Sequence, residues 1–404
     1  MLKKLNLNQI LKKDTKAIPK AKTASTATAA IPATATAAAQ PIYSAANKAP
    51  LFQPQNDEKR FLDLGCDAKT AAELQKNRNS EILYRSLKKY HQLLNRPLQS
   101  LSSWQIACLS GDPAAIQDCI TKHELTNETK TNNKKSENAL QLIAISGSIS
   151  GMELVRNELK IDFYSKNLEG SNALSYAVLG GNILAVHHVK NNLNLVLHPL
   201  FKPELLATAA YNEDIAFVEE IIKLFDINPT VDTNLLLLAS HAGNVGLMEH
   251  AVFKLKISTT SKDKYDMNAL LYAAWKGHRA AMEYAAVRLG IDPEKSKSID
   301  GGDVIIQAAR SKNLAALKYA VENLKMDPKK SVSKNGTGVF VHAAAEGTVE
   351  ILQYLKTQLG ETLQENTLRK ALQWAEQNNS DPAVIEYLTN ELNPSNQHNP
   401  TAAK

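Results

Sequence analysis

Cysteine is scarce in this 404-residue chain. Its three thiols, Cys66, Cys108 and Cys119, are odd in number and show no CxxC spacing, so neither a disulfide framework nor a zinc site is indicated. The expectation is a reducing, cytoplasmic compartment. Long apolar runs are also lacking: none approaches the ~18 residues that a membrane span requires. There is no secretory h-region, and no arginine precedes Arg60, which weakens a mitochondrial transit reading. A basic surplus is lacking wherever the chain looks able to fold. The net charge is +6, but residues 1–60 hold ten Lys/Arg against three Asp/Glu, which leaves 37 against 38 for the rest. Duplex binding needs a basic stripe on the folded part, so nucleic acid is not the expected partner.

What is present divides into four stretches. Residues 1–55 pair a Lys-rich opening, MLKKLNLNQILKKDTK, with the Ala/Thr/Pro stretch AKTASTATAAIPATATAAAQP. The second has almost no large apolar side chain to bury and reads as disordered linker. The first, residues 1–16, places Leu2, Leu5, Ile10 and Leu11 among lysines. It reads either as a membrane-surface or targeting segment or as a frayed terminus, the thin apolar face favouring the second. Residues 56–98 space Leu74, Ile82, Leu83, Leu87, Tyr90 and Leu94 at three and four, a helical pattern stopped by Pro97, and are expected to cap a repeat array. Residues 99–393 hold that array, and 394–404 form a disordered C-terminus.

The array restates one phrase nine times, with first positions at Ser102, Asn138, Asn172, Glu204, Asn234, Asn268, Asp303, Gly338 and Lys370. The third position is always large and apolar, from Trp104 and Leu140 to Phe340 and Leu372, which marks a core face. The sixth is Ala in every repeat but one, where it is Ile143, and a side chain held so small implies close helix approach. The tenth is Gly in six repeats, where a left-handed residue can end the first helix, and Asn at the first position in four suits an N-cap. The second helix reads about one residue longer than this pattern needs, and Asp-Pro in LGIDPEK and LKMDPKK is expected to stop it.

These positions resemble ankyrin repeats, NALLYAAWKGH standing where that family has T-P-L-H-x-A-A-x-x-G-H. The resemblance implies an all-α ankyrin-like helical-hairpin solenoid that works as a non-enzymatic interaction scaffold. Another helical-hairpin solenoid is the alternative fold. No repeat keeps the Thr-Pro pair and the fourth position is never His, so the inter-repeat hydrogen-bond network of the family is expected to be missing. Composition and tail also resemble, in style and on no motif, ankyrin proteins that intracellular bacterial pathogens deliver into host cells, which implies a secreted effector acting on a host protein in the host cytosol.

No catalytic constellation emerges, and no cofactor or metal is expected. His187 and His188 are adjacent, about 100° apart on a helix, with no partner at metal spacing. GGD at Gly301 and GTG at Gly336 fall at inter-repeat tips, and Cys108 and Cys119 read as buried, inert thiols. The informative position is the eighth, which in this resemblance faces the concave groove: Leu109, Ile145, Leu179, Tyr211, His241, Trp275, Arg310, Ala345 and Gln377. Four consecutive repeats carry Tyr211, His241, Trp275 and Arg310, residue types that dominate binding hot spots, with Lys276 and Glu346 as rim. The competing account tucks Trp275 onto Tyr272 as a core cap. The sequence therefore points to a monomeric scaffold that holds a protein or extended peptide in the groove. The alternative is a membrane-tethered adaptor using the N-terminal Lys/Leu segment.

Overall fold

The computed structural model describes residues 57–75, 77, 80–94, 98, 101–193, 201–360 and 363–393. The expected N-terminal linker, the Lys/Leu segment 1–16 and the C-terminal tail lie outside these residues. Backbone contacts divide the chain between Leu101 and Ser102 into two units. In the first, helices Asp57–Leu62, Ala68–Gln75 and Ser80–Leu94 bury Phe61, Leu74, Leu83, Leu87 and Tyr90. Ile82, expected on that apolar face, is 43% exposed. Arg60 instead closes the outer side, lying 3.8 Å over the Tyr84 ring and 3.4 Å from Glu81.

The second unit is all-α: nine consecutive helix pairs, from Ser103–Ser110 with Pro113–Thr121 to Glu365–Gln377 with Pro382–Leu392. The first helices form the continuous spine. Their third positions are buried from Trp104 through Phe340, and the sixth is buried in all nine. Each such aliphatic side chain removed from water contributes about 1.5–3 kcal/mol. The small sixth position works as expected, and Gly180 goes further: a Cβ there would strike the Ile145 carbonyl of the preceding repeat. At the end of the stack the rule lapses, and Leu372 is only half-buried.

Two first positions do not start their helices: Glu204 and Lys370 lie inside helices that begin at Lys202 and Glu365. Lys202-Pro203 supplies a proline-started first turn in the fourth repeat. The ninth first helix is extended because residues 360–364 are the whole connection before it. Elsewhere the caps hold: Asn138, Asn172, Asn234, Asn268 and Asp303 accept from the free helix amides. Five of the six tenth-position glycines are left-handed, whereas Gly347 is extended at φ −81°.

The extra residue in the second helices has a physical form. In repeats five, six and seven the helix widens into a π turn, at His250–Lys254, Tyr284–Arg288 and Tyr319–Asn323. Each closes on an i→i−5 bond, Leu255 N–H to the His250 carbonyl, Leu289 to Tyr284, Leu324 to Tyr319. Asp-Pro is not the stop. A left-handed residue two positions before the Asp ends the helix, at Gly290 and Lys325, as Lys256 does in the fifth repeat where no Asp-Pro follows, and Asp292 caps the amides of Glu294 and Lys295 in the next turn.

The missing network is also corrected: repeats are hydrogen-bonded to one another by other residues. Connections between repeats rise into fingers with matching five-residue tips, closed by Asn167 N–H to Ser171 O, Asp263 to Met267, Ser298 to Gly302 and Ser333 to Thr337. Nine residues after each tip opens, a polar side chain at the fifth position of the repeat reaches back to it: Tyr176 to Asn167, Tyr272 to Asp263, Gln307 to Ser298 and His342 to Ser333. Successive tips join through Leu168 N–H to Lys135 O, Ile299 to Tyr265 and Lys334 to Asp300. At the far end of the first helices a second row of straps crosses between repeats. Ser148 donates to the Gly111 carbonyl, Asn212 to Val178, Asn313 to Gly277 and Ser380 to Ala344 and Ala345.

Candidate functional site

The eighth position is not one environment. Leu109, Ile145, Leu179 and Ala345 are buried, Gln377 is exposed, and Tyr211, Trp275 and Arg310 are partly exposed. The stripe of four therefore falls where the position opens. His241, Trp275 and Arg310 close the first helices Leu235–Ala242, Ala269–Trp275 and Val304–Arg310, while Tyr211 sits in the turn just past Lys202–Ala209. Because the helices stack in register, one position in four repeats becomes four neighbours in space.

Three of them form one aromatic cluster. His241 is its centre, 8% exposed, with ring centroids 6.2 Å from Tyr211, 5.7 Å from Trp275 and 5.8 Å from Tyr272, all edge to face. The Tyr211 hydroxyl and His241 Nδ1 share a hydrogen bond of 3.0 Å, and Nε2 is buried without a hydrogen-bonding partner. Burial, with Lys276 and His278 nearby, pushes the His241 pKa down to about 3, so the imidazole is neutral at physiological pH. Burial also raises Tyr211 to about 12. His241 is thus a pedestal that sets the two outer rings and offers little surface itself.

Charge surrounds the cluster. The Lys276 ammonium stands 4.7 Å from the Trp275 ring centroid, a cation–π contact. The side chain keeps much of its surface in water, yet protein atoms around it hold its pKa below the usual lysine value. Arg310 Nη2 donates to Glu346 Oε1 at 2.7 Å across the next repeat boundary. His278 Nε2 donates to the His241 carbonyl at 3.2 Å, and a Cβ on Gly243 would lie 2.6 Å from the His278 ring.

The six sequence candidates thus separate into an aromatic group, Tyr211, His241 and Trp275 under Lys276, and an ion pair, Arg310 with Glu346. Two members of the site come from outside these six candidates. Tyr272 touches both His241 and Trp275, its ring 6.2 Å from the latter. The i, i+3 spacing of Tyr272 and Trp275 on one helix is the signal that carries it. His278 reads from the sequence as a turn residue; its bond to the preceding repeat has no signature in the sequence.

Among the described residues, no three His, Cys, Asp or Glu side chains converge to hold a metal ion, and no helix is long and apolar enough to cross a membrane. Cys108 and Cys119 are buried, and burial raises both thiols, Cys119 to about 11. Neither a scan against protein-family models nor a search of curated proteins finds a match. Among solved structures, the crystal structure of the human ASB11 ankyrin repeat domain aligns at 16% identity and a TM-score of 0.35, covering 54% of this chain and 96% of that one.

Proposed function

We propose that the array is a protein-binding scaffold whose partner, a protein or extended peptide, docks on repeats four to eight. Tyr211 and Trp275 are the anchors, Arg310 and Lys276 the polar contacts, and Glu346 a rim residue. The observation that carries this reading is the clustering of a partly exposed Tyr and Trp on a buried His, with cations alongside. Rigid aromatics held by their own packing lose little entropy on binding, and such residues with Arg dominate interface energetics.

The test is affinity capture with the array as bait, followed by titration of the captured partner. Trp275→Ala and Arg310→Ala should each cost at least about 2 kcal/mol, roughly thirtyfold in affinity. Lys276→Ala should cost less and fade as salt rises. Binding should also shift Trp275 emission. Unchanged affinity in both large substitutions sinks the proposal.

A further inference from the structure

The finger row stops before the repeats do. In the eighth repeat residues 324–338 build a finger whose tip donates, through Lys334 N–H, to the Asp300 carbonyl of the finger before it. The same place on this last finger is the Asn335 carbonyl, which has no donor among the described residues. Only residues 360–364 connect Leu359 to the next helix, too few for another finger, and the first helix of the ninth repeat starts at Glu365 instead. The place of the missing finger is a cleft of about 660 Å³, within the ~300–1,000 Å³ range of ligand sites.

The lining gives the cleft a chemistry. Val332, 48% exposed, and the partly exposed Leu363 supply apolar wall above the buried Phe340. Lys329, Arg369 and Lys370 line it as well, and among the described residues no Asp or Glu does. Lys370 Nζ donates to Thr337 Oγ1 at 3.0 Å, which places that ammonium against the finger's outer arm, and Arg369 is paired with Glu365. An exposed finger edge with an open carbonyl is a template for strand addition, which supplies affinity through the main chain and specificity through alternate side chains.

We propose that this cleft binds an extended acidic peptide as a surrogate finger, its main chain donating to Asn335 O, its carboxylates on Lys329 and Lys370, and apolar side chains on Val332 and Leu363. The site uses none of the residues of the aromatic cluster. Alternation of acidic and apolar residues follows from the two faces of an extended strand, one toward the ammonium groups and one toward the apolar wall.

The probe is a fluorescent, end-blocked (Glu-Val)4 peptide titrated into the full chain and followed by anisotropy. Binding is expected, and (Lys-Val)4 should show none. The double variant Lys329→Glu/Lys370→Glu changes only exposed side chains and should weaken (Glu-Val)4 at least about tenfold. N-methylation of the central valine amides should weaken it several-fold, as loss of a main-chain hydrogen bond does. Trp275→Ala should leave it unchanged, which keeps this site distinct from the proposed groove. Absence of binding at millimolar peptide overturns the proposal, as does indifference to the charge reversals. Equal binding of the N-methylated peptide, or of inorganic polyphosphate, would show a mere polyanion patch and no strand addition.

Discussion

His241 and His342 are imidazoles buried on the first helices of the fifth and eighth repeats, and burial is the main cause that holds their pKa values down to about 3 and about 4. In an unfolded chain histidine titrates near ~6.5. Between that value and about 4 the unfolded state binds protons that the folded state refuses, so stability is full above ~6.5 and falls as the pH drops, by up to ~1.4 kcal/mol per unit for each group. The urea midpoint should be flat from pH 8 to 7 and decline from 6.5 to 5, above the range where most carboxylates protonate. His342→Gln should shrink that decline; an equal slope would show that His342 protonates freely in the fold. A second residue-scale feature is the left-handed position that ends the second helices. Lys160, Lys256 and Lys325 occupy it, as Gly290 does in the sixth repeat. Side chains there cost ~1–2 kcal/mol in backbone strain, so Lys325→Gly should raise stability by about 1 kcal/mol in chemical denaturation. Lysine gives no hint of a left-handed backbone, and the Asp-Pro that follows Gly290 and Lys325 draws the sequence reading past the residue that ends the helix.

At the scale of the element, the first helices were the most readable part of the chain. The buried third and sixth positions follow from sterics that act inside every repeat, and a pattern imposed nine times survives local exceptions. Ala273 is fully buried at that sixth position. Ala273→Leu should overpack the spine and lower stability by about 1–3 kcal/mol, read from the urea midpoint. The fingers were less legible, because their pins are chemically diverse. Tyr, Gln and His at the fifth position do one job, reaching a residue nine places back that is Asn, Asp or Ser, and no single residue type marks it. Tyr272→Phe should remove the 2.8 Å bond to Asp263 and cost about 1 kcal/mol, while leaving the ring beneath Trp275. The candidate site shows the same division. Register places Tyr211, His241, Trp275 and Arg310 in one row, but whether a member of that row is surface or pedestal depends on the depth of each helix, and His241 is the member that sinks.

At the scale of the whole array, stability is shared between neighbours, since each repeat leans on the next. The straps make that coupling local and specific. Gly243 is left-handed at φ +74° and lies under His278, the strap between the fifth and sixth repeats. Gly243→Ala should therefore do more than strain one turn. It should loosen one boundary, and the urea transition should broaden or split; a uniform shift at unchanged slope would show that the boundary is held elsewhere. The π turns carry a different implication, about length. An α-helix turns ~100° per residue, so losing one residue from an ordinary helix swings everything after it onto another face. A wide turn already contains the surplus. Deleting one residue within Tyr284–Arg288 lets that segment tighten to α-helical pitch while the finger beyond it keeps its bearing, whereas the same deletion within Val349–Leu359 has no slack to draw on. Three neighbouring repeats thus hold a reserve that absorbs the loss of a single residue, and the array can shorten there without changing which side chains share the row of Tyr211, His241, Trp275 and Arg310.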